Sequence, residues 1–224
     1  MSQDNIASRL DAIRVTLPDG VGLVAVSKFH PAEAVMEAYE AGQRAFGESR
    51  VQELEQKVDR LPSDIRWHFI GHVQTNKLSR LIGRVALIES VDSLRLLSMI
   101  DRLSAERGVV TRVLMQVHVA AEETKFGFDP DELVGWFASR GFESLQATHI
   151  CGIMGMATNT DDEKRVRDDF RRIADTRRRI LEAAPDLRGF DTVSMGMSDD
   201  YPAAIECGST LVRVGTAIFG PRAY

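Results

Sequence analysis

A single (β/α)8 barrel with an extra N-terminal helix, occupying residues 1–224 as one domain, is the fold this chain predicts. Three observations predict it. Eight apolar, strand-like runs follow one another along the sequence. Helix start and stop signals lie between them. Polar residues gather just after the runs, at the end where such barrels carry their chemistry. A doubly wound open sheet is the alternative, but no G-x-G-x-x-G follows the first run, where that fold would hold a dinucleotide.

The extra helix comes first, with Ile6, Leu10 and Ile13 on one face. Residues 23–28 form the first strand, because Leu23-Val24-Ala25-Val26 has the unbroken aliphatic character of a strand buried on both faces. Pro31 then stands at a helix start and Gly42 just past its end. Residues 45–48 and 66–71 are the second and third strands. The fourth, 86–91, leads into a helix that Ser93 caps and Gly108 terminates. The fifth, 112–119, precedes a helix opened by Asp129-Pro130 and closed by Gly141. After the sixth strand, 147–156, Arg171, Arg172, Arg177, Arg178 and Arg179 share a segment with Asp161, Asp162, Glu163, Asp168, Asp169 and Asp175, the composition of a solvated, ion-paired helix face. Residues 192–198 and 210–215 complete the set of eight.

Twenty-eight basic residues against thirty-three acidic ones give a net charge of -5, which argues against nucleic acid as an obligatory partner. No apolar stretch reaches the roughly 18 residues that span a bilayer, and Met1-Ser2-Gln3-Asp4 does not begin a charged-then-apolar leader. A cytoplasmic monomer without membrane contact is therefore expected. Cys151 and Cys207, each in apolar company, read as two buried free thiols.

Lys28 is the most informative residue. An ammonium buried at the end of an apolar strand costs several kcal/mol unless it is neutralised, paired or made covalent, and an imine with an aldehyde achieves the last. Only five lysines accompany twenty-three arginines, and Lys28 alone follows a fully apolar strand. The plainer alternative is a snorkelling lysine. The other polar residues fall at the same strand ends: Glu48-Ser49 after the second, His72 and Gln74-Thr75-Asn76-Lys77 after the third, Ser198 after the seventh, Gly215-Thr216 after the eighth. Loops after strands seven and eight of such barrels often take phosphate on backbone N–H groups and hydroxyls, which Met195-Gly196-Met197-Ser198 and Val214-Gly215-Thr216 supply. With an amine at the same rim, they point to a phosphorylated aldehyde.

Other constellations carry less. His68 and His72 would lie roughly 13 Å apart along a strand, too far to share a metal. His68, after Trp67, reads as a barrel-interior histidine satisfied by a neighbour and close behind a bound ligand. Glu122-Glu123 with Lys125 reads as a charged loop, and Met154, Met156, Met195 and Met197 as core and pocket lining.

Several ordered blocks carry a resemblance: Ala25-Val26-Ser27-Lys28, Phe46-Gly47-Glu48, Val51-Gln52-Glu53, Trp67-His68-Phe69-Ile70-Gly71, Gln74-Thr75-Asn76-Lys77, Lys125-Phe126-Gly127, Ser194-Met195-Gly196-Met197-Ser198, and the run Gly208-Ser209-Thr210-Leu211-Val212-Arg213-Val214-Gly215-Thr216. In these the chain resembles the pyridoxal-phosphate homeostasis proteins, whose barrel is similar to the N-terminal domain of alanine racemase. The resemblance implies pyridoxal 5'-phosphate (PLP) held as a Schiff base on Lys28, phosphate contacts from Ser198, Gly215 and Thr216, and Arg213 facing the pyridine nitrogen. A guanidinium there can only donate a hydrogen bond, so the ring nitrogen stays unprotonated and the cofactor is a shallow electron sink. No carboxylate occurs in Thr216-Ala217-Ile218-Phe219-Gly220 to hold a pyridinium, and an ion pair with an acid in a neighbouring loop is the alternative role for Arg213.

Two functions follow from the resemblance. The first is a non-catalytic PLP carrier that stores the cofactor, delivers it to PLP-dependent apo-enzymes and limits free aldehyde. The second is a weak amino-acid racemase with Lys28 as base. Racemase relatives take an opposing tyrosine from a further domain, whereas Tyr39 reads as mid-helix, Tyr201 as a loop residue near the site, and the chain is expected to end at Tyr224 without such a domain. A barrel that takes another phosphorylated metabolite, with Lys28 as a plain charge, is a third reading. The sequence also departs from the family pattern. Gly47-Glu48-Ser49-Arg50 stands where Gly-Glu-Asn-Tyr is common, leaving Ser49 in place of the asparagine on the ring-hydroxyl side. Phe29-His30, His72-Val73 and His118 are further substitutions.

Overall fold

The structure is a computed structural model that describes residues 5–122 and 126–221. Eight parallel strands form one closed barrel in sequence order: β1 Gly22–Val26, β2 Ala45–Glu48, β3 Arg66–Phe69, β4 Leu87–Val91, β5 Thr111–Gln116, β6 Thr148–Met154, β7 Thr192–Ser194 and β8 Leu211–Val214. Closure comes from β1 against β8, where Val24 pairs with Arg213 and Ala25 with Val214. The helices are α1 Ile6–Arg14, α2 Ala32–Glu40, α3 Val51–Val58, α4 Leu94–Glu106, α5 Pro130–Ala138, α6 Glu163–Ala183, α7 Tyr201–Glu206 and α8 Thr216–Phe219. The predicted (β/α)8 barrel with its extra first helix is the observed fold, except that β3 and β4 are joined by the 3-10 helix Thr75–Arg80.

Local chemistry explains where the helices begin and end. Ser93 accepts from the Leu96 N–H, Asp129 from Asp131 and Glu132, and Asp162 from Lys164 and Arg165, each satisfying donors the first turn leaves open. Gly42 and Gly108 take positive φ just past α2 and α4, as anticipated. Gly141 does not close α5; the chain turns at Arg140, with φ 63, and Gly141 opens a further 3-10 turn. The ion-paired face expected of α6 holds for Arg171 with Asp168, Arg178 with Asp175 and Glu182, and Arg179 with Asp131, whereas Arg172 and Arg177 donate to the carbonyls of Val119 and Phe190 and Asp169 is buried. Ile6, Leu10 and Ile13 of α1 are buried.

Apolar packing divides in two. The larger cluster lies between strands and helices and includes Phe46, Phe69, Phe137 and Phe170, all fully buried. A separate cluster of Leu87, Leu114, Cys151 and Met154, with Met156 and Leu211 against it, fills the barrel itself. β2 and β4 end where their apolar runs do, at Glu48 and Val91, and the other strands stop short of theirs. β1 stops at Val26, so Lys28 lies in the following turn, and β7 stops at Ser194, because Gly196 at φ 95 turns the chain away. His118, expected within the fifth strand, lies beyond β5. Cys151 is buried but Cys207 is only half-buried, a correction to the pair of buried thiols expected; both are free. Among the described residues no helix is long and apolar enough to cross a membrane.

Candidate functional site at the carboxyl rim of the barrel

Parallel pairing puts aligned residues on one face, so the register Val26–Gly47–His68–Leu87 and the pair Val24–Arg213 define the interior side of the barrel. Above the apolar plug this interior carries a polar layer. His68 Nδ1 lies 2.6 Å from Glu89 Oε1, and the Ser194 hydroxyl donates to Glu89 Oε2 at 2.6 Å. Arg213 donates from Nη1 to Ser194 Oγ at 2.5 Å and from Nη2 to the Gly155 carbonyl at 3.1 Å, with Nη1 3.8 Å from Glu89 Oε2. Burial pushes the Glu89 carboxyl up, but its bond to His68, the charges of His68 and Arg213 and the bond from Ser194 outweigh it and hold it below the usual range. Burial lowers the Arg213 guanidinium against the pull of Glu89 and Asp200.

His68 is thus an interior histidine satisfied by a neighbour, as its sequence setting suggests. The neighbour, Glu89, was not visible in the sequence. It sits in β4, fully buried, and becomes the partner of Arg213 only when the barrel closes. The ion pair considered for Arg213 therefore exists, with a strand carboxylate rather than a loop one.

At the rim, Ser198 Oγ accepts from the N–H groups of Gly215 at 3.3 Å and Ala217 at 3.4 Å. Both bonds are long, so a hydroxyl and two backbone donors converge on one small space with their capacity only lightly used. A side chain would collide at Gly196 and crowd its neighbours at Gly215. A Cβ on Gly196 would lie 2.6 Å from the Ala204 Cβ and 2.9 Å from the Tyr201 Cα, and one on Gly215 would press the Val26 carbonyl at 3.2 Å. Met195 is buried beneath the loop, Thr216 is exposed at the start of α8, and Asp200 Oδ1 accepts from the Met197 N–H at 2.6 Å. Burial raises the Asp200 carboxyl against that bond and against Arg213. The arrangement of donors suits an oxyanion such as phosphate.

Lys28 is half-buried at the same rim, in the turn after β1. Ser49, half-buried after β2, borders an open depression of about 560 Å³ with Phe69, His72 and Lys77. Glu48, expected at the mouth, is instead fully buried on the opposite face of β2, where Lys57 Nζ meets its Oε1 at 2.6 Å. The burial of Lys57 depends on α3 packing against the sheet and has no signal in the sequence. Tyr201 opens α7 rather than lying in a loop; its backbone packs against Gly196, near the site as expected, while its hydroxyl is 2.9 Å from Thr16, and the Tyr39 hydroxyl donates to Asp64. His72 pairs with Asp92 and stacks on Phe126 at 4.0 Å. Among the described residues no group of three or more metal-ligating side chains assembles. Glu123, Lys125 and Tyr224 lie outside the described residues.

Residues 1–223 match the family model described as alanine racemase, N-terminal domain. A pyridoxal phosphate homeostasis protein of Haemophilus influenzae is 36% identical over 209 residues, covering 91% of this chain and 86% of the relative. Another, of Aquifex aeolicus, is 38% identical and covers 90% and 87%. PipY of Synechococcus elongatus, solved with PLP bound, superposes with a TM-score of 0.88 at 38% identity over 96% of this chain and all of that one. An alanine racemase of Clostridium difficile reaches a TM-score of 0.77 at 16% identity over 96% of this chain and 56% of its own, a likeness of fold alone. The chain belongs to the family of the alanine racemase N-terminal domain and, within it, groups with the pyridoxal phosphate homeostasis proteins.

Proposed function

We propose that this protein is a PLP-binding barrel domain, a cytoplasmic monomer that holds the cofactor as a Schiff base on Lys28 and serves intracellular PLP homeostasis by storing it, passing it to apo-enzymes in transient contacts and limiting the free aldehyde. The observation that carries the reading is an anion cradle after β7 and β8, an arginine within β8 and a lysine after β1, on three consecutive strands of the closed barrel. The cofactor supplies a reactive aldehyde, and every other part is played by this chain. Ser198, Gly196, Gly215 and Thr216 hold the phosphate, over Met195. Arg213 presents a donor to the ring nitrogen, with His68 behind it, and Ser49 borders the ring-hydroxyl side.

Two features support carriage over catalysis. Arg213 is a donor that cannot supply a proton to the ring nitrogen, so the ring withdraws electrons weakly. The described tyrosines Tyr39 and Tyr201 both spend their hydroxyls on other partners, which leaves neither as an opposing base. The racemase reading is the competing one, favoured by the arginine alone.

The test is the visible spectrum of purified protein with PLP, before and after borohydride, beside Lys28→Ala. The expected result is an imine band in wild type that borohydride traps on Lys28 and that Lys28→Ala lacks. An identical band in Lys28→Ala removes the assignment. Turnover of either alanine enantiomer by the same sample would replace carrier with racemase.

A further inference from the structure

One buried charge cluster plays no part in the cradle or the polar layer, and it bonds Ser27, the residue before Lys28. Lys57 of α3 and Glu48 of β2 form an ion pair that is almost wholly shut from solvent, and Glu48 Oε2 is buried without a hydrogen-bond partner. A buried pair gains little over apolar packing, and fixing one arrangement is its best-attested use. Here it fixes Ser27. The Ser27 hydroxyl donates to Glu48 Oε1 at 2.6 Å, and Lys57 Nζ donates to the Ser27 carbonyl at 2.8 Å. On the other side of Lys28, Phe29 holds the left-handed conformation at φ 67, which a bulky residue keeps only when its surroundings impose it. Its N–H donates to Glu53 Oε2 of α3 at 2.9 Å, and Arg50 lies over its ring at 4.6 Å. The backbone on both sides of Lys28 is thus gripped from α3.

We propose that Glu53 and the Lys57–Glu48 pair are positioning residues that hold the turn at residues 27–29 in the conformation presenting the Lys28 amine to an aldehyde. The proposal rests on the reading of Lys28 given above. In the step concerned, the amine nitrogen adds to the aldehyde carbon, a C=N bond replaces C=O, and the oxygen leaves as water with no change in oxidation state. α3 takes no part in that chemistry; it sets the distance and direction of approach.

The test follows the rate at which added PLP becomes borohydride-trapped on Lys28, located by peptide mass mapping, together with amide exchange at Phe29 in cofactor-free protein. Lys57→Met alone would strand Glu48 and risk misfolding, so the pair is removed together as Glu48→Met with Lys57→Met. Misplacing a reacting group by about 1 Å can cost about 100-fold, so Glu53→Ala and the double variant are each expected to slow trapping at least about tenfold. Phe29 exchange should rise in both. Glu53→Gln keeps an oxygen that accepts the Phe29 N–H and should stay within about twofold of wild type. Wild-type trapping rates in both Glu53→Ala and the double variant, whatever Phe29 exchange does, overturn the positioning role while Lys28 keeps its own. Absence of trapping on Lys28 in wild type overturns both readings.

Discussion

Glu89 is the residue on which the interior of the barrel turns. It is fully buried, each oxygen is hydrogen-bonded, and it lies within ion-pair distance of a guanidinium that is only 4% exposed. Its folded pKa is held below the unfolded value, so it contributes stability that is fully present above about pH 4.3 and is lost as pH falls through the folded pKa. Glu89→Gln removes the charge that Arg213 faces in the interior, and breaking a buried pair from one side costs about 3–5 kcal/mol. The expected outcome is a variant less stable at neutral pH by about that amount, whose urea midpoint changes less than that of wild type between pH 5 and pH 3. Equal pH slopes in the two proteins would show that Glu89 does not carry the acid sensitivity. Arg213→Met, by contrast, removes the donor assigned to the ring nitrogen and leaves Glu89 to His68 and Ser194. It should weaken PLP binding while the borohydride adduct on Lys28 still forms, a separation that a fluorescence titration and mass mapping together resolve.

Among the elements, the loops after β2 and β3 show how closely backbone must approach at the rim. A Cβ on Gly71 would lie 2.2 Å from the Ser49 carbonyl oxygen and 2.7 Å from its Cα, and backbone cannot yield as a flexible side chain would. Gly71→Ala is therefore expected to cost about 1–3 kcal/mol, to lower the thermal midpoint by several degrees and to weaken PLP binding by displacing Ser49. An unchanged midpoint with unchanged affinity would mean the two loops move apart freely. The same rim marks the limit of what the sequence discloses. Periodicity and caps locate every strand, because a parallel barrel buries its strands on both faces and leaves continuous apolar runs. Apart from those of β2 and β4, the runs overshoot at the carboxyl ends, by four residues in β7, because Met195-Gly196-Met197 remains apolar after the ladder has stopped at Ser194. The short α3 and α8 carry no strong start signals, and no side-chain cap forms on either of them or on α7, although Asp200 and Pro202 stand at its start. Lys28, Ser198 and Gly215 are legible because they stand at the ends of apolar strands, and Arg213 is legible only through the family resemblance. Glu89 and the Glu48–Lys57 pair are not, since each acquires its meaning from a partner on another element.

At the scale of the molecule, the barrel is a ring whose first and last strands meet, and the proposed site lies across that seam. Lys28 follows β1, Gly215 and Thr216 follow β8, and Ser198 follows β7, while β7 and β8 share only the single register pair Ser194–Leu211. A ligand bonded covalently to the first strand's turn and ionically to the last two loops would therefore staple the ring across β7, β8 and β1. A ligand that binds only the folded state at about 100 times its Kd adds about 2.7 kcal/mol, which for a chain of this size corresponds to a rise of about 5–10 °C in thermal midpoint. Wild-type protein with saturating PLP should show that rise, and native-state amide exchange should slow most in β7, β8 and the turn after β1. Lys28→Ala keeps the ionic half of the staple and should retain a smaller rise that inorganic phosphate reproduces. Ser198→Ala should lose the phosphate effect yet still form the Lys28 adduct. A rise of equal size in Lys28→Ala, or protection spread evenly around the barrel, would place the ligand elsewhere than across the seam.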